Sequence, residues 1–132
     1  MDMRDFSADK ILGFGTFTIT NEVVYNRGEQ RDIKYAMKSY FLSTSEAVHR
    51  ALRERNTLTH LLSETHSFPF SQTFFWAIGS WKTPSIITTI GSKFDLQDLR
   101  KSKGRMNDDI ARFYIAEIMC GLEYIHRMGI VH

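Results

Sequence analysis

Apolar and β-branched residues, broken by glycines, fill much of the first forty positions, and helical spacing dominates the later chain. The segments "ILGFGTFTIT" and "NEVVYNRGEQRDIKYAMKSY" predict three strands, with a turn at "NRGEQ". Two later runs, "TFFWAI" and "SIITTI", flank the turn "GSWKTP" and predict two further strands. The first part of the chain is therefore expected to be mainly a β-sheet.

Three segments show the spacing of helices, namely residues 43–62, 93–102 and 107–129. Ser43, with Glu46 three residues later, predicts a capping box for the first helix, and Asn107 predicts a cap for the last. The stretch "SFPFSQ" predicts a loop. Because the strands gather first and two of the three helices come last, the pattern predicts an α+β fold with an antiparallel sheet.

The last predicted helix is apolar on more than one side, which is typical of a helix in the middle of a helical domain. We therefore expect it to be poorly anchored and prone to association in this chain taken by itself. Its apolar positions include Ile110, Phe113, Tyr114, Ile115, Ile118, Met119, Leu122, Ile125 and Met128.

Composition narrows the possible classes of protein. The chain has 132 residues, of which 42% are hydrophobic, and this fits one globular domain. A net charge of +2 is too small to favour a nucleic-acid partner or an anionic membrane. The sequence shows no signal peptide and no apolar run near the ~18 residues of a membrane span, so we expect a cytoplasmic protein. Cys120 stands alone, which excludes a disulfide framework and predicts a buried, inert thiol.

Two glycines in the first strand region are candidates for chemistry. Gly13 and Gly15 lie between short strand-like runs, where a hairpin can bring its backbone N–H groups close to phosphates. The pattern alone is more often only a turn.

Lys38 is a second candidate. It lies in a predicted strand on the same face as Ala36 and Tyr40, while Tyr35, Met37 and Ser39 share the opposite face. Taken alone, a lysine on a strand is usually a solvated residue.

Glu54 changes this interpretation. In the first helix it falls within an apolar stripe spaced by four, three, four and three residues: Ala47, Ala51, Glu54, Leu58 and Leu61. A carboxylate that faces the core is costly unless a cation meets it. Arg50, one turn earlier, could satisfy it locally. The alternative that we prefer is Lys38 of the strand, because this helix must pack against the sheet. A glycine hairpin, a strand lysine and a helix glutamate would together form a grip for a triphosphate.

These residues, in this order, resemble the N-terminal part of a eukaryotic protein kinase. "ILGFGTFTIT" resembles the glycine-rich loop, "YAMK" the strand that carries the lysine, and "ALRERNTL" the helix that carries the glutamate. "SIITTIGSKFDLQDL" is similar to the hinge and the helix after it, and "RFYIAEIMCGLEYIHRMGIVH" to the helix that leads into the catalytic loop. The resemblance is strongest to the AGC serine/threonine kinases, and among them to the G-protein-coupled receptor kinases.

The resemblance implies ATP and Mg²⁺ as cofactors and a protein serine or threonine as substrate. Thr88 falls at the gatekeeper position, the hinge follows it, and Asp95 falls where the ribose is contacted, with a helix N-cap as the alternative. Thr18 stands at the third glycine of the loop, and Thr20 stands where a valine usually covers the adenine. The implied nucleotide-binding residues are Leu12, Gly13, Phe14, Gly15, Thr16, Thr20, Ala36, Lys38, Glu54, Thr88, Thr89, Gly91 and Asp95.

The resemblance also implies a division of the chain. Residues 1–90 would form the kinase N-lobe, a five-stranded antiparallel sheet with one helix, and residues 91–132 the hinge and the first helices of the C-lobe. His132 stands where the H-R-D motif would begin, so the catalytic aspartate and the metal ligands are not among these residues. We expect this chain to be inactive by itself. It is either part of an active AGC-like kinase or a truncated, pseudokinase-like binding module.

Overall fold

The computed structural model describes residues 2–27, 33–63, 73–79, 83–92 and 95–132. The predicted turns "NRGEQ" and "GSWKTP" lie partly, and the loop "SFPFSQ" wholly, outside the described residues. The order of the strands and helices confirms the α+β prediction. They are a 3-10 helix (Met3–Asp5), β1 (Phe6–Gly15), β2 (Thr18–Tyr25), β3 (Lys34–Tyr40), α1 (Ser45–Ser63), β4 (Phe74–Gly79), β5 (Pro84–Thr89), α2 (Leu96–Lys103) and α3 (Asp108–Arg127).

The five strands form one antiparallel sheet in the order β1-β2-β3-β5-β4. β1 and β2 are joined by a two-residue turn at Thr16 and Phe17. The β1–β2 register shifts twice, once between Ala8 and Lys10 and once between Ile11 and Gly13. Such bulges bend a strand and increase its twist, so the end of this hairpin turns away from a flat sheet.

The chain divides into two compact units, with the division after Gly91. The first unit contains the sheet and α1, and the second contains α2 and α3.

The sheet of the first unit has an apolar core on each face. β3 contributes to both, because its side chains alternate as the sequence predicted. One core is Val23, Tyr35, Met37 and Ile87, bordered by Phe6, Tyr25, Phe75 and Ile78. The other core lies under α1 and consists of Tyr40, Ala51 and Ile86, bordered by Leu42, Leu58 and Phe74.

The helix caps agree only in part with the sequence prediction. Asn107 caps α3, its side chain accepting a hydrogen bond from Ile110 N at 2.9 Å, as predicted. The capping box at Ser43 is wrong, since Thr44 caps α1 and accepts from Ala47 N at 3.2 Å. With Thr44 at the cap, Glu46 is one residue too early to complete a box, and it pairs with Arg50 instead.

α3 carries an exposed apolar surface, and none of its residues is buried. The prediction of a buried Cys120 is wrong, because that thiol is exposed. Gly129, at φ 71°, ends the helix in the left-handed conformation that glycine favours. The exposed apolar side chains of α3 are Ile110, Phe113, Ile115, Ile118 and Met119.

We expect α3 to exchange its amide hydrogens much faster than β3 and the purified chain to self-associate as its concentration rises, because large apolar side chains left in water invite association. Hydrogen exchange with mass spectrometry, together with sedimentation velocity at several concentrations, measures both. A monomer at all concentrations, with residues 110–128 as protected as β3, would contradict this prediction.

Candidate functional site

An ion pair joins the sheet to α1. Lys38 Nζ donates to both carboxylate oxygens of Glu54, at 3.0 Å to Oε1 and 2.8 Å to Oε2. The two side chains are 36% and 35% exposed, so the pair is only partly shielded from water. The local alternative is not observed, because Arg50 pairs with Glu46 at 2.6 Å. The predicted contact between strand and helix is therefore present.

Tyr40 completes this group, and the sequence analysis did not assign it a role. Its hydroxyl donates to Glu54 Oε2, and its ring centroid lies 5.6 Å from Lys38 Nζ. Burial, and then the hydrogen bond to Glu54, raises the pKa of Tyr40 well above its usual value. A tyrosine hydroxyl is already protonated at neutral pH, and these effects hold its proton more firmly still. The sequence could have indicated this role, because Tyr40 lies on the same strand face as Lys38. Whether the Tyr40 hydroxyl reaches Glu54, however, depends on where α1 packs.

The glycine hairpin lies beside this group. Gly15 pairs with Thr18 across the turn, and a Cβ added at Gly15 would come within 2.5 Å of Thr18 Oγ1. The close approach explains glycine at position 15. Thr18, at the third glycine of the family pattern, lies in β2, where a β-branched residue is well suited. At Gly13, which is half-buried, an added Cβ would meet nothing within 4 Å, so no neighbouring atom there requires glycine.

The strand registers bring several predicted residues to one face of the sheet. Gly13, Thr20, Lys38 and Ile86 pair in one row across four strands. A second row, two residues further along β2, β3 and β5, joins Glu22, Ala36 and Thr88. Directly paired residues share a face, so Thr20, Ala36 and Thr88 lie on the face of Lys38.

The remaining predicted residues of the first unit lie at its edges. Leu12 and Phe14 are exposed on β1, by 40% and 77%, and Thr16 is exposed in the turn. Thr89 ends β5 and accepts a hydrogen bond from Thr73 N at 3.0 Å. Gly91 is exposed, with open space around it.

Asp95 belongs to the second unit and caps α2. Its side chain accepts from Asp98 N at 2.7 Å, and Asp98 returns a contact to the Asp95 amide, forming a capping box. Asp95 is therefore the helix N-cap that the sequence analysis gave as the alternative to a ribose contact. A ribose contact by its carboxylate stays a prediction.

A cavity of about 530 Å³ opens between the hairpin turn and α1. The turn residues Gly15 to Thr18 line one side, and Lys38, Arg50, Arg53 and Glu54 line the other. Arg50 also lies over the Phe17 ring, 5.6 Å from its centroid. Three cationic side chains and one carboxylate give the lining a net positive charge. Its size and charge fit a polyphosphate.

A buried carboxylate on the same face was missed by the sequence analysis. Glu22 is 2% exposed and pairs with Lys10 of β1 at 3.2 Å and with Lys34 of β3. Lys34 also reaches Asp9 at 3.0 Å. The Lys34 hydrogen bond, more than any other contact, lowers the pKa of Glu22 below its usual value. The alternation of β2, which puts Glu22 on the face of Thr20, was the signal that could have revealed it.

Two further searches concern metals and membranes. Within the part of the chain that the structure describes, no three histidine, cysteine, aspartate or glutamate side chains gather as a metal site. No helix among those residues has the length and hydropathy needed to span a bilayer.

The sheet, the glycine hairpin, and the lysine and glutamate that meet beneath it define the N-lobe of a protein kinase. Comparison with known families agrees, since residues 6–132 match the model of the protein kinase domain. The chain belongs to the protein kinase family.

Its relatives include several serine/threonine kinases. The chain is 29% identical to serine/threonine-protein kinase UCNL of Arabidopsis thaliana over all of its length and 33% of that protein. It is 31% identical to serine/threonine-protein kinase SCH9 of Saccharomyces cerevisiae over 98% of this chain and 15% of the relative. It is also 31% identical to 3-phosphoinositide-dependent protein kinase 1 of Arabidopsis thaliana, over 98% of this chain and 25% of that protein. The chain spans a third or less of these relatives.

We expect Glu22→Gln to lower the urea midpoint of unfolding at pH 7, because the variant loses both ion pairs of a shielded carboxylate. The folded-state pKa of Glu22 is lowered, so its contribution is present above the unfolded value of about 4.3 and disappears as the pH falls through the folded pKa. The difference between wild type and variant should therefore shrink toward acid. Urea titrations from pH 7 to pH 3.5 measure it, with Glu46→Gln as an exposed control. An equal difference at all pH values would contradict the assignment.

Proposed function

We propose that these 132 residues form the nucleotide-binding part of a serine/threonine protein kinase domain. The observation that carries the proposal is the Lys38–Glu54 pair, which stands beside an open glycine hairpin and a cationic cavity. A hairpin backbone, a strand lysine and a helix glutamate are the parts with which kinases hold the phosphates of ATP.

Each part has a defined task in this proposal. The backbone N–H groups around Gly13 and Gly15 cover the phosphates, and Lys38 neutralises them. Glu54 keeps the Lys38 ammonium directed toward the cavity. Arg50 and Arg53 add positive charge at its far wall.

The purine would lie on the small side chains of the same face. Leu12, Thr20 and Ala36 form its upper surface in this proposal. The backbone from Thr89 to Gly91 bonds its edge, and Thr88 is the gatekeeper. Phe14 and Thr16 close the hairpin over the phosphates.

For the whole protein we propose transfer of the ATP γ-phosphoryl group to a serine or threonine of a protein substrate. The family supplies a catalytic-loop aspartate and Mg²⁺ for this step. The motifs "DFSADKILGFGTF" and "YAMK" favour the AGC group and a relation to the G-protein-coupled receptor kinases. The composition favours a cytoplasmic protein.

A second candidate is a binding module without transfer activity. Thr18 favours it, because its hydroxyl fills the space next to Gly15 and stiffens the hairpin end. Nucleotide affinity by itself does not separate the two candidates, whereas phosphoryl transfer by the whole protein does.

We expect the chain to bind ADP weakly. Lys38→Met should weaken ADP binding about tenfold, which is the smallest effect expected when a charge-assisted hydrogen bond is lost. Fluorescence titration with a labelled adenine nucleotide measures the affinity. Lys103→Met, at an exposed lysine in the last turn of α2, is the control. Equal affinities for wild type and Lys38→Met would reject the assigned phosphate contact.

We expect residues 1–132 to incorporate no phosphate from Mg-ATP into a basic serine peptide. The reason is that the family's proton acceptor and metal ligands have no counterpart among these residues. Radiolabel transfer above that of the Lys38→Met variant would overturn this expectation.

A further inference from the structure

Glu54 receives hydrogen bonds from two side chains of the same strand. Lys38 and Tyr40 are two residues apart on β3, so both point to the face on which α1 packs. Lys38 contacts both oxygens of the carboxylate, and Tyr40 contacts Oε2. A carboxylate has about four acceptor positions, so both donors can be bound at once.

The two donors differ in mobility. Tyr40 is 2% exposed and packs against Ala51 and Ile86, and Ala51 lies one helical turn before Glu54. Its ring has two side-chain torsions and is enclosed, so its hydroxyl stays where Glu54 accepts it. The phenol is protonated at neutral pH, as any tyrosine is, so it can donate to Glu54.

Lys38 has a longer, partly exposed side chain that lines the cationic cavity. In the proposed function its ammonium also serves the phosphates, and a shared cation holds Glu54 less firmly. Without a second donor, the partly shielded carboxylate would then be left short of partners, which is unfavourable.

We propose that Tyr40 is a positioning residue that holds the Glu54 carboxylate, and with it α1, against the sheet independently of Lys38. Either donor is enough to keep the helix docked. Lys38 can therefore turn to an anionic ligand without releasing α1. Only this last step rests on the proposed function.

The test is a set of variants in the 132-residue chain, without nucleotide, read by amide hydrogen exchange at residues 51–58. We expect Lys38→Met and Tyr40→Phe to change exchange there by less than about threefold each. The double variant should raise it about tenfold or more, since Glu54 then has neither donor. Exchange in β5 within the same samples reports whether the sheet is still folded.

Two controls separate the hydroxyl from general packing. Tyr35→Phe removes the hydroxyl of another buried tyrosine on β3, on the opposite face, and should have no added effect with Lys38→Met. Adding Glu54→Leu to the double variant should restore slow exchange, because no carboxylate then needs a donor. If Tyr40 only fills space in the core, its loss would not depend on Lys38, and Glu54→Leu would not restore slow exchange.

The outcomes are distinct. If Lys38→Met alone frees residues 51–58 as much as the double variant does, Tyr40 does not hold Glu54 and the proposal is wrong. If the double variant exchanges like wild type, it is also wrong. Failure of the wild type to bind labelled ADP would reject the proposed function only, because the exchange experiment uses no ligand.

Discussion

The carboxylate of Glu54, placed in the apolar stripe of α1, is the constraint on which the site depends. A charged group on the core side of a helix needs donors from the element that the helix covers. β3 supplies them at two positions of one face, Lys38 and Tyr40. Satisfying Glu54 therefore fixes how α1 lies on the sheet. The same placement of α1 brings Arg50 and Arg53 to the wall of the cationic cavity.

The sheet presents this face through its registers. The small residues Gly13, Thr20, Ala36 and Thr88 lie on the face of Lys38, while the opposite face holds a core rich in aromatic side chains. Glu22 lies in the same row as Ala36 and ties three strands together through lysines on both neighbours. The hairpin is thus joined to the lysine-bearing strand by charge as well as by backbone hydrogen bonds.

The helices of the second unit are defined by their caps rather than by a buried core. α2 and α3 have good caps, with Asp95 and Asn107 each satisfying a backbone N–H of the first turn. Neither helix buries a residue. Local capping is thus enough to define where these helices begin, but it supplies no apolar burial, and five large apolar side chains of α3 stay exposed. Most helical stability in proteins comes from tertiary packing, and α3 has no fully buried residue to supply it.

The sequence by itself determined the number and order of strands and helices, the two faces of β3, the cap at Asn107 and the pairing of Lys38 with Glu54. These follow from the period of the pattern, from local hydrogen bonding and from the cost of a carboxylate left without a partner in an apolar stripe, all of which act within or between neighbouring segments. Two predictions from the sequence were wrong: the α1 cap was placed one residue early, and Cys120 was expected to be buried. An apolar pattern shows which side of a helix can be buried, but not whether another element packs on that side. The strand order, the insertion of β5 beside β3, the three-strand cluster around Glu22 and the reach of the Tyr40 hydroxyl were decided only by the tertiary structure. Each depends on distances between segments far apart in the chain, and no local periodicity encodes those distances.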